Sequence, residues 1–362
     1  MYIEKTESMM AEGLGIQWHL TVQCDQHCKH CYMYDSITYP SELKNELPLP
    51  QILRTIDSLY EFTEKKDLEP YFAFSGGDPI LRSDLLDILG HCRKRGAKDI
   101  LILGNPFHLD LPLCKRLKEL GVAGYQISID GLEETHDRFR MPGSFKASLR
   151  AIKILQEAGI DTPIMFTLSR ENAKDLLGVI RLAHEIGATH FSFARISSVG
   201  SGRKNFKANP MGAMEYRRIL LRVNLEYERL RRQGTRTDFG NKDHLWVPLF
   251  YEMGWLDREG PFVEPRYHRC GMSKGICILA DGTAMACRRF HSPLGRFPES
   301  SWEEVVDSPE REALTTLDRF AKCRECRFKE VCLGCPAVAF GEHDDPFAPD
   351  PQCWVDTGEW LN

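Results

Sequence analysis

A chain of 362 residues is long for one ordinary hydrophobic core, and usual domain sizes predict a larger and a smaller domain. With 42% hydrophobic and 27% charged residues it reads as globular, and a net charge of -5 gives no global field for nucleic acid or an anionic membrane. The polar start MYIEKTESMMAEG has no basic region followed by an apolar stretch, and no run is long enough to span a bilayer; the sequence reads as cytoplasmic, with neither nucleic acid nor membrane as partner.

From about residue 15 to 233, strand-like runs alternate with amphipathic helical segments, the pattern of βα units around a parallel sheet. The predicted strands are IQWHLTV, YFAFSG, ILILGN, GYQISID, PIMFTLS and HFSFARI. Helices such as LPQILRTIDSLYEFTEK, RSDLLDILGHCRKRG and NAKDLLGVIRLAHEIG lie between them, the last expected to be capped by Asn172 and closed at Gly187. These units predict an α/β fold, a partial (β/α)6 TIM-type barrel over 1–233. Residues 234–265 read as a bridge, and 266–362 as a small cysteine-rich domain. Within that domain GICILADGTAMACRRF predicts a β-hairpin turning at Asp281-Gly282, a dipeptide suited to a type I′ turn.

Thirteen cysteines in a reducing compartment point to metal or redox chemistry before disulfides. Cys92 and Cys114 fall at apolar helical positions and read as inert core thiols. Cys24-x3-Cys28-x2-Cys31 begins just after the first strand, at the end of a barrel where working residues sit. Three thiolates can hold three irons of a 4Fe-4S cluster and leave the fourth open; a zinc site would need a fourth ligand, for which only His27 or His30 is at hand.

This spacing resembles the signature of the radical S-adenosylmethionine (SAM) superfamily, C-x3-C-x-aromatic-C, with His30 at the aromatic position. The resemblance implies reductive cleavage of SAM to a 5′-deoxyadenosyl radical, with the adenine contact falling to His30 or to Tyr32. Ser75-Gly76-Gly77-Asp78-Pro79 is similar to the family's GGEP-type turn, which receives SAM's amino group. Ser128 is the first choice for SAM's carboxylate; Asp130 either contacts the cofactor or orients the loop, and Arg150 is a further carboxylate partner. His136 is expected to cap or pack, and Thr167–Asn172 and Arg195–Gly202 to line the adenosyl and substrate space. Asn105 stands where relatives show Thr-Asn-Gly, within LGNPF.

The later cysteines resemble the SPASM domain of radical SAM maturases: Cys270, Gly282-x4-Cys287, Cys323-x2-Cys326-x5-Cys332-x2-Cys335, then Cys353, with Cys277 as an eighth thiol. The resemblance implies two auxiliary 4Fe-4S clusters, one on Cys270, Cys277, Cys287 and Cys335 and one on Cys323, Cys326, Cys332 and Cys353, making three clusters in all. Two structural zincs are the competing reading.

Such relatives mostly modify peptides, so the expected activity is maturation of a ribosomal precursor peptide by a thioether or other side-chain crosslink, with a flavodoxin or ferredoxin-type electron donor. The chain begins just before the first strand, so a separate leader-recognition protein or direct docking is expected, and SGRKNFK and YRRILLRVNLEYERLRRQG offer basic surfaces for an acidic leader. Oxidation of a small molecule is the alternative. Formylglycine formation in sulfatases is demoted because Arg288, not Asp, follows Cys287. Arg288 and Arg289 are read as either orienting substrate carboxylates or tuning the neighbouring cluster.

Overall fold

The computed structural model describes residues 13–256 and 275–355, so Cys270 lies outside the described residues. Six strands run parallel in sequence order: β1 (Gly13–Thr21), β2 (Glu69–Gly76), β3 (Ile100–Leu103), β4 (Val122–Ser128), β5 (Pro163–Leu168) and β6 (His190–Arg195). All six were legible as apolar runs. A seventh, β7 (Asp238–Phe239), extends the parallel array beyond β6 and was not, because two residues leave no alternation to read.

After the undescribed segment the chain returns to the opposite edge of the same sheet. β8 (Gly275–Ile278) pairs parallel with β1, Gly15–Trp18 lying opposite Gly275–Ile278. β9 (Thr283–Met285) and β10 (Pro293–Arg296) continue antiparallel, giving one ten-stranded sheet. The expected hairpin is therefore continuous with the barrel sheet.

Its turn differs from the expected type. The Gly282 N–H donates to the Leu279 carbonyl at 3.0 Å and only Gly282 has positive φ (87°), so a type I turn ends in a left-handed glycine. The Asp281 side chain holds this geometry by accepting from the Thr283 N–H at 3.1 Å and from the Ser41 hydroxyl at 2.7 Å.

Alternation along the strands separates two faces. Trp18, Phe74, Phe191 and Phe193 join the main core, where Phe191 packs on Tyr227 (6.5 Å between centroids) and Phe193 on Trp246 (6.2 Å). The alternate positions Gln17, His19, Gln126, Ser128, Thr167 and Ser192 put polar side chains on the other face, the concave one. Cys92 and Cys114 are fully buried in the core, as expected. Among the described residues no helix is long and apolar enough to cross a membrane.

Asn172 stands at the N-terminus of the 3-10 turn that opens the helix, as the sequence suggested, but its side chain does not cap it. Its Oδ1 accepts from the Ser169 N–H at 2.8 Å, and its Nδ2 donates to the Asp130 and Thr167 carbonyls at 2.9 Å each, tying together the loops after β4 and β5. A 3-10 turn Ala173–Asp175 precedes the helix Leu176–Glu185, which does close at Gly187 with φ 66°.

The hairpin is locked to the helix Tyr39–Lys44 by a buried ion pair, Arg288 to Glu42 Oε1 at 2.7 Å, supported by an Arg288 contact to the Thr38 hydroxyl at 3.1 Å. Removing one partner strands the other charge in the interior. Glu42→Ala is expected to cost roughly 3–5 kcal/mol, whereas the apolar double replacement Glu42→Leu/Arg288→Met recovers most of it; urea melts of the single and double variants check this, and equal losses in both would contradict it.

Candidate functional site

The loop after β1 carries Cys24, Cys28 and Cys31, and its shape is set by its neighbours. A Cβ on Gly76 would collide with the Thr21 carbonyl and one on Gly77 with the Gln23 carbonyl, while the Gly77 and Asp78 N–H groups donate to those same carbonyls at 2.8 and 2.7 Å. The two glycines thus let the turn after β2 press against the start of the cysteine loop. Gly200, with φ 56°, approaches the carbonyls of Cys31, Tyr32 and Tyr34 from the other side, and the Ser201 N–H donates to Tyr34 at 2.8 Å.

The three thiols are mutual electrostatic neighbours, and burial pushes Cys28 up to about 12. Hydrogen-bond donors surround them. Asn105 Nδ2 lies 3.2 Å from Cys24 Sγ, and an Arg140 guanidinium nitrogen 3.7 Å from Cys28 Sγ. Buried thiols ionise only where positive charge compensates them, and a metal cluster supplies that charge.

Asp78 fits a cationic ligand. Its Oδ1 accepts long bonds from the Ile80 and Asn105 N–H groups, both 3.4 Å, but its Oδ2 is buried with no partner, and burial raises its carboxyl to about 6. Pro79 follows in a 3-10 turn and is buried. Ser128 ends β4 on the concave face. These residues fit SAM: an orphaned carboxylate oxygen for its ammonium, and a hydroxyl at the neighbouring strand end.

Two expected contacts are corrected. Asp130 is committed to the protein, since its carboxylate accepts from Arg140 Nε at 2.6 Å and from the Thr167 N–H at 2.7 Å, so it orients the loop rather than the cofactor. Burial would raise its pKa, but Arg140 and His30 pull it below the usual carboxylate range. Arg150 sits exposed on the helix Ser144–Glu157, away from the strand ends; one helix face decided this, and spacing alone could not. Arg140 is the arginine that reaches the cysteine loop, and nothing in DRFR distinguished it beforehand.

His30 is buried 3.4 Å from Asp130 Oδ2 and from an Arg140 nitrogen, and burial lowers it to about 4. His136 packs as expected, between the Asp130 N–H at 3.1 Å and the Ser144 hydroxyl at 2.6 Å. Tyr32 points elsewhere. It packs with Val22, Met33 and Ala280, meets His19 edge-on at 6.1 Å, and lies 5.8 Å from the Arg288 guanidinium. Leu168–Arg170 and Arg195–Ile196 line a cavity shared with Val338 and Glu342 of the helix Pro336–His343, while Thr167 is bound to Asp130.

The later cysteines fall into two electrostatic groups. Cys287 is neighbour to Cys277 and Cys335, whereas Cys323, Cys326, Cys332 and Cys353 influence one another. The second four line one cavity with Leu245, Pro248 and Phe328. Four thiols around one apolar-walled space are a donor set suited to an iron-sulfur cluster. Among the described residues no three His, Cys, Asp or Glu side chains close on a single metal ion.

Asp350 stands between the groups. Its carboxylate accepts from the Cys335 N–H at 2.8 Å and its carbonyl from the Cys353 N–H at 3.0 Å. Arg195, at the end of β6, grips both Asp350 oxygens at 2.6 and 2.7 Å and Asp243 Oδ2 at 2.6 Å. The two adjacent arginines separate in role. Arg288 belongs to the Glu42 lock, and Arg289 reaches Cys335 Sγ at 3.6 Å and the Ser197 hydroxyl at 3.4 Å.

A barrel bearing three thiols at the end of its first strand, with a second thiol-rich region paired onto that strand, defines a radical SAM architecture with auxiliary sulfur sites. Residues 18–183 match the model of the radical SAM superfamily and residues 270–336 that of an iron-sulfur cluster-binding domain, SPASM, so the chain carries both domains. It is accordingly a SAM-cleaving enzyme. The chain is 28% identical to Fe-coproporphyrin III synthase of Methanosarcina barkeri, over 94% of this chain and 87% of that protein. It is 26% identical to the sporulation killing factor maturation protein SkfB of Bacillus subtilis, over 93% of this chain and 72% of that one. In fold it resembles Streptococcus suis SuiB bound to the precursor peptide SuiA, with a TM-score of 0.74 and 17% identity over 98% of this chain and 79% of that one.

Asp78 generates a pH prediction. With its folded carboxyl at about 6 against an ordinary 3.8, the unfolded chain releases its proton first, so stability falls as pH rises from about 4 to about 6 and is level above. In SAM-free protein Asp78→Asn is expected to be more stable than wild type by up to roughly 3 kcal/mol at pH 8, less at pH 5, and to bind SAM more weakly. Urea melts at both pH values, with SAM titration, check this; a gain independent of pH would exclude it.

Proposed function

We propose that this enzyme oxidises a carboxylate-bearing substrate held between the Cys24, Cys28, Cys31 loop and the Cys277, Cys287, Cys335 group. Tyr32 carries the reading: it directly follows Cys31, packs against Ala280 of the hairpin and lies 5.8 Å from the Arg288 guanidinium, so it sits between the first cysteine loop and the hairpin that bears Cys277 and Cys287. In this reading Cys24, Cys28 and Cys31 hold a 4Fe-4S cluster, Gly76, Gly77, Asp78 and Pro79 receive SAM's ammonium, and Ser128 its carboxylate. Cys270, Cys277, Cys287 and Cys335 hold one auxiliary 4Fe-4S cluster, and Cys323, Cys326, Cys332 and Cys353 the other. When bound, these groups supply the electron that cleaves SAM and the 5′-deoxyadenosyl radical that removes hydrogen from the substrate.

The chain's own residues supply positioning and charge. Asn105 and Arg140 direct hydrogen bonds at the Cys24 and Cys28 sulfurs, which favours the more negative, reduced charge state there. The concave face holds the reacting groups in a fixed geometry. Residues 1–233 would form the SAM unit, 234–265 the bridge and 266–362 the auxiliary unit of a cytoplasmic enzyme served by a flavodoxin or ferredoxin-type donor.

Tetrapyrrole-type small molecules are the first substrate reading, because relatives spanning nearly all of this chain are named Fe-coproporphyrin III synthase and AdoMet-dependent heme synthase, at 28% and 26% identity. Peptide crosslinking, including thioether formation, is the second, favoured by SkfB and the mycofactocin maturase MftC at 26% and 24%. Formylglycine formation stays demoted, since Arg288 is held by Glu42.

Reconstituted wild type is expected to hold about twelve irons, four per cluster, and a Cys24, Cys28, Cys31→Ala triple variant to keep about two-thirds of them and lose deoxyadenosine formation. Anaerobic incubation with SAM, reductant and either carboxylated iron tetrapyrroles or a neighbouring-gene precursor peptide, read by mass spectrometry, separates the substrates. A tetrapyrrole mass change supports the first reading; loss of two hydrogens with one thiol masked supports the second. Unchanged SAM cleavage in the triple variant would overturn the assignment.

A further inference from the structure

A chain of three side chains links the first cysteine loop to the protein surface. Asn105, in the loop after β3, directs its Nδ2 at Cys24 Sγ at 3.2 Å and at Asp25 Oδ1 at 3.1 Å. The other oxygen of Asp25 meets His108 Nε2 at 2.6 Å. Asn105 is buried, whereas the His108 side chain is 46% exposed and that of Asp25 33%. A path of direct contacts therefore runs from solvent to one of the three sulfurs of the loop.

The chemistry of the groups fixes their orientation. An ionised carboxylate only accepts hydrogen bonds, so His108 Nε2 carries a hydrogen and donates it, and the end of the Asn105 amide that faces Asp25 is its NH2. The second hydrogen of that NH2 is then left for the Cys24 sulfur. Turned over, the amide would set its carbonyl oxygen against an anion. The Asn105 backbone is held separately: its N–H donates to Asp78 Oδ1 at 3.4 Å and its carbonyl accepts from the Tyr125 hydroxyl at 3.0 Å. That leaves the side-chain rotamer for Asp25 to set. His108 in turn adopts φ 55°, a left-handed conformation uncommon for a residue with a Cβ. Two residues later Asp110 caps the helix Leu111–Glu119 by accepting from the Leu113 N–H at 2.8 Å. Strain of this kind persists where the surrounding structure dictates it, and here it places an imidazole on one particular acid.

We propose that His108 and Asp25 are positioning residues for the first cluster: His108 clamps Asp25, Asp25 orients the Asn105 amide, and the amide's hydrogen bond to Cys24 raises the cluster's reduction potential. This rests on the reading above, in which Cys24, Cys28 and Cys31 hold a 4Fe-4S cluster, and adds to it a determinant at the protein surface. Hydrogen bonds to cluster sulfurs favour the more reduced state, and groups behind a ligand tune it by orienting what touches it. A surface charge acting through space would need no Asn105, which separates the two accounts.

The test measures a potential, not turnover. Reconstituted enzyme without SAM is titrated with reductant and followed by electron paramagnetic resonance, the first cluster's signal being the one missing from the Cys24, Cys28, Cys31→Ala triple variant. Asn105→Ala is expected to lower that cluster's one-electron reduction constant about tenfold, or about 59 mV, the upper range of one hydrogen bond. His108→Ala, checked for full iron content, is expected to lower it roughly threefold. His108→Gln, whose amide still donates to Asp25, is expected to restore it, and in the Asn105→Ala background His108→Ala is expected to add no further shift. An unchanged potential in His108→Ala overturns the relay. The same threefold shift in both backgrounds also overturns it, leaving His108 a surface charge only. A wild-type spectrum reproduced by the triple variant overturns the cluster assignment itself, a failure that the iron counts distinguish from that of the relay.

Discussion

Four residues of parallel pairing hold the enzyme's two halves in register. Gly275–Ile278 lies along Gly15–Trp18, so the strand that precedes the first cysteine loop is also the strand onto which the auxiliary region is hydrogen-bonded. In-register parallel neighbours share a face, and Cys277 opposite Gln17 therefore turns to the concave side. A slip by one residue would turn that thiol into the helical layer and move the loop bearing Cys287, Arg288 and Arg289 out of place. The Glu42 to Arg288 pair and the Ser41 to Asp281 bond secure the register from the loop side.

The site is built so that backbone defines position and side chains adjust charge. Gly76, Gly77 and Gly200 bring three loops into contact around Cys24–Cys31, where any Cβ would force them apart. Onto that frame Asn105, Arg140 and Arg289 place nitrogen donors near Cys24, Cys28 and Cys335. Asp350 uses both its carboxylate and its carbonyl to orient the N–H groups of Cys335 and Cys353, one from each later thiol group, and Arg195 fixes it to β6. The auxiliary region is thus tied to the barrel through the β1–β8 pairing, the Glu42–Arg288 pair and the Arg195 ion cluster, among other contacts.

Charge beside the sulfur sites is balanced within close ion pairs. Near the first cysteine loop the cation Arg140 is matched by Asp130, and on the hairpin Arg288 is matched by Glu42.

The sequence by itself determined the six long strands, the hairpin and the grouping of the thiols, because periodicity and fixed cysteine spacing are local properties that survive without coordinates. The same locality let Gly76 and Gly77 be noticed, although their partner proved to be the protein's own loop. Tertiary structure alone decided which arginine reaches the sulfur: Arg140 and Arg150 are equally plausible in a string of letters, and only the helix face puts one inside and the other in solvent. It also decided that β8 joins β1 and that Arg288 and Arg289 serve different partners. Each of these depends on contacts between segments far apart in sequence, whose pairing is fixed by the whole packed sheet and by no short stretch of chain.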